Sequence, residues 1–133
     1  MTDTAEATTT PPLQFERTED FFPTYANNVT FEVSAWDIKL IFGQLDQASG
    51  KASVKQHVAV TIPWPQAKLL LFWLRIQVEA AEASVKARIP IRKDLLPPEM
   101  PLTSDQADDP DAKVFYELYR KAREEFLASL EIY

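Results

Sequence analysis

His57 is the only imidazole in the 133 residues, and no cysteine accompanies it. A histidine acting as general base needs a positioned hydroxyl such as Ser and an orienting carboxylate. His57 falls instead on the outward side of a stretch that reads as a strand, so a surface or interface role is expected. As the one group titrating near neutral pH, it could tune such an interface. Asp108, Asp109 and Asp111 carry the oxygens that Mg²⁺ or Ca²⁺ takes as ligands, but carboxylates at the start of a helix also serve the positive end of its dipole. They are read as capping groups, and no metal is assigned. Lys86, Arg88, Arg92 and Lys93 place four positive charges within eight residues, the one basic patch on an acidic chain. They either complement the carboxyl end of a helix and pair with acidic neighbours, or form an anion patch for a small ligand or RNA. No aromatic residue is interleaved for base stacking, which argues against RNA. Carboxylates alone, such as Asp37 with Glu82, define no recognisable geometry. No catalytic residue and no cofactor is therefore assigned.

Composition narrows the classes further. With Gly43 and Gly50 as the only glycines, the chain lacks the glycine-rich loops that cradle phosphates in P-loop and dinucleotide-binding enzymes. Without cysteine it has no disulfide framework, and with one histidine it has no structural zinc site. An apolar share of 46% and a charged share of 26% are those of an ordinary globular protein. Fourteen basic against twenty acidic side chains give a net charge of −6, which repels a phosphate backbone, so no nucleic-acid partner is expected. The longest apolar run, Leu69 to Leu74, is far below the roughly 20 residues of a membrane span. The start of the chain carries neither a basic n-region nor an apolar h-region. The expectation is a cytoplasmic protein without a membrane partner.

The elements that position these residues follow from periodicity. Residues 1–24 hold five acids, one arginine, a Thr-rich stretch and three prolines, the composition of a disordered acidic tail. Its Phe15, Phe21 and Phe22 either anchor it beside the fold or form a docking segment for another protein. Val29, Phe31 and Val33 alternate with polar residues as in a strand. Apolar positions then shift parity to Trp36, Ile38, Leu40 and Phe42, which requires a turn or bulge within Ser34–Asp37. A second strand runs from about Asp37 to Gln44, and Asp46, Ser49 and Gly50 mark a loop. Val54, Val58, Val60 and Ile62 define a third strand, and an antiparallel meander is the simplest connection. Pro65 fits the first turn of a long helix over about Pro65–Lys86.

That helix carries two apolar stripes at core-face spacing. One is Ala67, Leu70, Leu71, Leu74, Val78, Ala81 and Val85; the other is Leu69, Phe72, Trp73, Ile76 and Ala80. Five prolines between Arg88 and Pro110 predict an extended crossing segment. Asp109 as N-cap and Pro110 at the first helical position open a last helix, with Phe115, Leu118, Tyr119, Ala122, Phe126 and Leu130 as its apolar face. Glu117 with Lys121, and Lys121 with Glu125, are expected i,i+4 pairs. The resulting organisation is a tail over 1–24, a strand-strand-strand-helix domain over 25–92, a proline-rich connector over 93–110 and an amphipathic C-terminal helix over 111–133. The fold class is α+β.

Three pieces of this chain resemble a bacterial family of small proteins catalogued as domain-of-unknown-function family 3467. They are Tyr25-Ala26-Asn27 before the first strand, the run Asp37-Ile38-Lys39-Leu40-Ile41-Phe42-Gly43, and Pro65-Gln66-Ala67-Lys68 followed by Leu69 and Leu70. The resemblance covers about Tyr25 to Ile91. The chain departs from it with Trp64 in place of a Ser or Thr, with Ala81-Glu82 in place of Tyr-Glu, and with Val85-Lys86 in place of Phe-Gly. Trp64 offers no capping oxygen and Lys86 replaces the usual left-handed terminator, so the helix ends are expected to differ. The resemblance implies a small self-associating α+β domain with no known activity.

A three-stranded sheet covers only one side of the long helix, so Leu69, Phe72, Trp73, Ile76 and Ala80 must meet something else. Either the proline-rich segment and last helix fold back over them, or a second copy does, as a homodimer or higher homo-oligomer. The leading expectation is a noncatalytic oligomerisation and protein-interaction module whose tails recruit other proteins. The alternative is a holdase resembling the secretion chaperone SecB in architecture and composition. An enzyme ranks third.

Overall fold

A computed structural model of the chain describes residues 11–48 and 50–132. The start of the acidic tail, Ser49 of the expected loop and Tyr133 lie outside the described residues. The architecture is α+β: a three-stranded antiparallel sheet in the order β1-β2-β3, a long helix and a C-terminal helix. The chain divides into two compact units, Met1–Trp64 and Pro65–Tyr133.

In the first unit, residues 11–26 form no strand or helix. A turn at Glu19-Asp20 sets Phe21 N–H on the Thr18 carbonyl (3.0 Å), and the Arg17 guanidinium lies over the Phe21 ring at 4.6 Å. β1 (Asn28–Val33), β2 (Asp37–Asp46) and β3 (Ser53–Pro63) then form the meander. The parity shift between β1 and β2 is a tight turn. The Ser34 hydroxyl accepts from the amides of Trp36 and Asp37 (both 3.1 Å) and donates to Asp37 Oδ1 (2.8 Å). This satisfies the turn's donors without glycine. The Trp64 indole N–H donates to the Ser34 carbonyl (3.0 Å), so a residue that cannot cap a helix fastens the turn instead.

Register sorts the side chains onto two faces. Val29, Phe42 and Val58 form one cross-strand row; Phe31, Leu40 and Val60 form the next; Val33, Ile38 and Ile62 form the third. The opposite face carries Thr30, Glu32, Lys39 and Thr61, with a Lys39–Glu32 ion pair at 3.3 Å. A bulge breaks the ladder between Phe42 and Gly43. Val58 faces Phe42, Gln56 faces Gly43, and His57 is the extra residue. The bulge moves Val54 off the face of Val58, Val60 and Ile62, where unbroken alternation had put it. Gly43 is required there, since a Cβ would lie 2.6 Å from Val54 Cγ1 and 2.9 Å from the Lys55 carbonyl.

The second unit holds most of α1 (Trp64–Val85), then β4 (Pro90–Ile91), a 3₁₀ turn at Lys93–Leu95, α2 (Pro110–Ala128) and β5 (Glu131–Ile132). α1 ends on Lys86 at φ 54°. Ala87 N–H bonds the Glu82 carbonyl (3.2 Å) and Lys86 N–H the Ala83 carbonyl (3.4 Å). This is the double bond set of a left-handed helix terminator. Lysine therefore takes the conformation that a glycine would take more cheaply, and the expectation of an altered helix end is corrected. α2 opens as its sequence predicts, with Asp109 Oδ1 accepting from Asp111 N–H (3.0 Å) and Pro110 in the first turn. It ends at Ala128, short of the expected helix limit, and the chain then pairs β5 with β4 in parallel.

Candidate functional site

The connector is a strap fastened to α2. Arg123 Nε donates to the Pro97 carbonyl (2.9 Å), and the Tyr119 hydroxyl donates to the Pro98 carbonyl. Glu99 lies 3.8 Å from the Arg123 guanidinium. Proline supplies no N–H of its own, so these extended residues make no ladder and present carbonyls to whatever donors face them. Half-buried positions on α2 are Ala112, Tyr116, Tyr119, Arg123 and Leu127, whereas Phe115 and Leu118 stay exposed. The covered face is thus rotated from the expected Phe115-Leu118-Ala122-Phe126 stripe and retains only Tyr119 and, beyond the helix, Leu130. Beside the strap, Glu99, Tyr116, Tyr119 and Arg123 line an open cleft of about 600 Å³. Of its polar groups, Arg123 is engaged by Glu99 and the Pro97 carbonyl, and Tyr119 by the Pro98 carbonyl.

The expected ion pairs on α2 also differ. Arg120 reaches both Glu117 (3.0 Å) and Glu124 (3.1 Å). The Glu117 hydrogen bond and charge, with Glu124 adding to them, push the guanidinium pKa further up. The forked guanidinium spans i−3 and i+4 together, which the single ammonium of Lys121 does less well.

Two of the four basic-patch side chains, Arg88 and Arg92, have local partners. Lys86 terminates α1, Arg88 donates to the Ala128 carbonyl at the end of α2 (3.0 Å), Arg92 pairs with Asp94 (2.8 Å), and Lys93 opens the 3₁₀ turn. Arg88 and the β4–β5 pair together tie the end of α2 back to the segment following α1. Glu82 Oε2 accepts the Ile89 N–H (2.8 Å), and Asp37 is held by Ser34, so each of these carboxylates has a local structural partner. His57 sits at the bulge with Nε2 3.3 Å from the Thr24 hydroxyl. Asn27, within Tyr25-Ala26-Asn27, binds the same corner: its N–H reaches the Gly43 carbonyl (3.1 Å) and its Oδ1 accepts from Leu45 N–H (2.7 Å). These bonds give two of the quoted sequence pieces a shared structural task. Asn28 Oδ1 beside them is buried without a partner.

Among the described residues, no side chain of α1 is buried. Leu69, Phe72, Trp73, Ile76 and Ala80 follow i, i+3, i+4, i+7 and i+11, one side of the helix. All five are exposed, Trp73 at 57% and Phe72 at 54%, with the two rings edge to face at 5.1 Å. The second stripe is exposed as well at Leu71, Leu74, Val78 and Val85; only Ala67 and Leu70 are half-buried. Lys68, Arg75, Glu79 and Glu82 fall on a third side, where Arg75 pairs with Glu79 (3.1 Å). In the sheet, the apolar face is exposed along β1 at Val29, Phe31 and Val33 and at Val58 and Val60 of β3, Phe31 at 59%, whereas Ile38, Leu40 and Phe42 of the central strand are half-buried.

Among the described residues no apolar side chain is buried, and no helix is long and apolar enough to cross a membrane. Compared with known proteins, the chain matches no family model, no curated protein and no solved structure.

Proposed function

We propose that this protein is a noncatalytic self-association module, a homodimer or higher homo-oligomer, with Leu69, Phe72, Trp73, Ile76 and Ala80 of α1 as the contact surface. The observation that carries the reading is the absence of any buried apolar side chain among the described residues, in a chain whose apolar share is 46%. A single chain in that state forgoes the main driving force of folding. Full burial of one large apolar side chain contributes about 1.5–3 kcal/mol. Four half-exposed large side chains on each of two copies therefore offer about 6–12 kcal/mol, within the range of about 4–15 kcal/mol that association costs. Further apolar surface on the sheet and on the second α1 stripe adds to this. The exposed Phe15, Phe21 and Phe22 suit the tail to recruiting another protein.

Trp73→Asp is the test. Light scattering on a sizing column should show the oligomer shift to monomer or to aggregate, while an Arg75→Ala control keeps its mass. A folded Trp73→Asp oligomer of unchanged mass would place the contact surface elsewhere. The same exposed stripes favour a second reading, a holdase that covers apolar segments of unfolded chains. That reading requires a delay in client aggregation at stoichiometric excess; no delay would end it.

A further inference from the structure

We propose that the apolar face of the sheet in one copy is covered by α1 of a second copy, through Leu70, Leu74, Val78 and Ala81, and that the exchange is reciprocal. This rests on the self-association reading and adds which surfaces meet.

The nine residues of the three sheet rows are all apolar, and a sheet with one such face needs a second layer. The dimensions select a single helix. The outer strands of a three-stranded sheet lie about 10 Å apart, the diameter of one helix with its side chains. Along the strands, Val29 to Val33 spans about 13 Å, and Leu70 to Val78 along α1 spans about 12 Å. The charged side chains of α1 lie off this stripe and remain in water, so the contact desolvates no charge. With the Trp73 stripe engaged in self-association, the Leu70–Ala81 stripe is the remaining apolar surface of α1.

The connectivity favours a second copy as the source of that helix. β3 ends at Pro63 and α1 begins at Trp64, with no loop residue at the junction. A helix that reverses onto the strand preceding it is joined to it by about 2–6 residues. Reciprocal exchange about a two-fold axis gives each sheet one helix and closes the assembly.

The chain has no cysteine, so introduced thiols are unambiguous. Full-length Leu40→Cys and Leu74→Cys chains, differently tagged and co-expressed, are treated with a short bismaleimide. Leu40 is the centre of the sheet face. The expected result is a band at twice the chain mass containing both tags, absent when either variant is treated alone. Linking of Leu40→Cys chains to themselves would mean that sheet meets sheet and would overturn the exchange. So would a doubly substituted chain that links only within itself. An assembly that stays oligomeric by light scattering yet gives no mixed band refutes the exchange alone, whereas a monomeric native protein refutes the self-association reading as well. If Leu40→Cys fails to fold by circular dichroism, Val60→Cys with Val78→Cys poses the same question at the neighbouring position.

Discussion

The two helices have opposite fates within one chain. α2 is supplied with its own cover, because Pro97 and Pro98 hold the strap extended and leave carbonyls for Arg123 and Tyr119. α1 has an apolar stripe on two sides, and among the described residues none of its side chains is buried. On the proposed reading, α2 finds its stabilising contacts in residues nearby in sequence and α1 finds them in a second copy. Substitutions under the strap should therefore cost folding, and substitutions on α1 should cost assembly.

The sharpest contrast comes from setting Trp73→Asp against a Tyr119→Phe, Arg123→Ala pair. An aspartate in a buried aromatic contact should weaken association by about 3 kcal/mol or more, over 100-fold in dissociation constant, with the helical circular dichroism of the soluble fraction retained. The strap double variant loses two hydrogen bonds worth about 1 kcal/mol each. It should lower the urea midpoint without changing the dissociation constant. If the strap variant dissociates the assembly, the separation of roles between the helices fails.

Gly43→Ala tests the sheet in the same terms. The added methyl meets Val54 and the Lys55 carbonyl, and such overpacking costs about 1–3 kcal/mol. It should be read as a lower melting temperature, with Val54→Ala recovering part of the loss. Lys86→Gly should stabilise the end of α1 by about 1 kcal/mol, because glycine adopts the left-handed terminator without steric cost. A lower midpoint would mean that the Lys86 side chain contributes something beyond the turn.

The smallest effect belongs to the tail. The Thr18 hydroxyl and the Asp20 backbone amide hold the Asp20 carboxyl below its usual pKa. The carboxylate form thus favours the turn above the ordinary Asp range, and that preference fades as pH falls through the lowered value. By NMR titration, Thr18→Ala should move the Asp20 midpoint upward; an unmoved midpoint would remove the hydroxyl from the turn.

Much of the fold was legible because its signals are local. The alternation of β1 and β2, the turn within Ser34–Asp37, and the Asp109-Pro110 start of α2 all follow from periodicity and capping chemistry. What escaped was non-local or silent in pattern. Val54 shares the parity of Val58, so the His57 bulge left no mark in the alternation. The strap chose the Tyr116-Tyr119-Arg123 face of α2 by offering carbonyls to Tyr119 and Arg123, a preference that hydrophobic spacing does not register. β4 and β5 are two residues each, too short for any period to appear. Lys86 at a left-handed position runs against residue preference, and Arg88 looked like part of a charge patch until the end of α2 was seen to supply its acceptor. For the candidate surface, the 3.6-residue spacing of Leu69, Phe72, Trp73, Ile76 and Ala80 was readable from the sequence, because helical periodicity is a local signal.

Light scattering of the full-length native chain across a dilution series tests the central claim most directly. An integer multiple of the chain mass that falls only on dilution or in Trp73→Asp is the predicted result. A native chain that is monomeric and monodisperse at every concentration would contradict it, and the exposed stripes of α1 would then need another explanation.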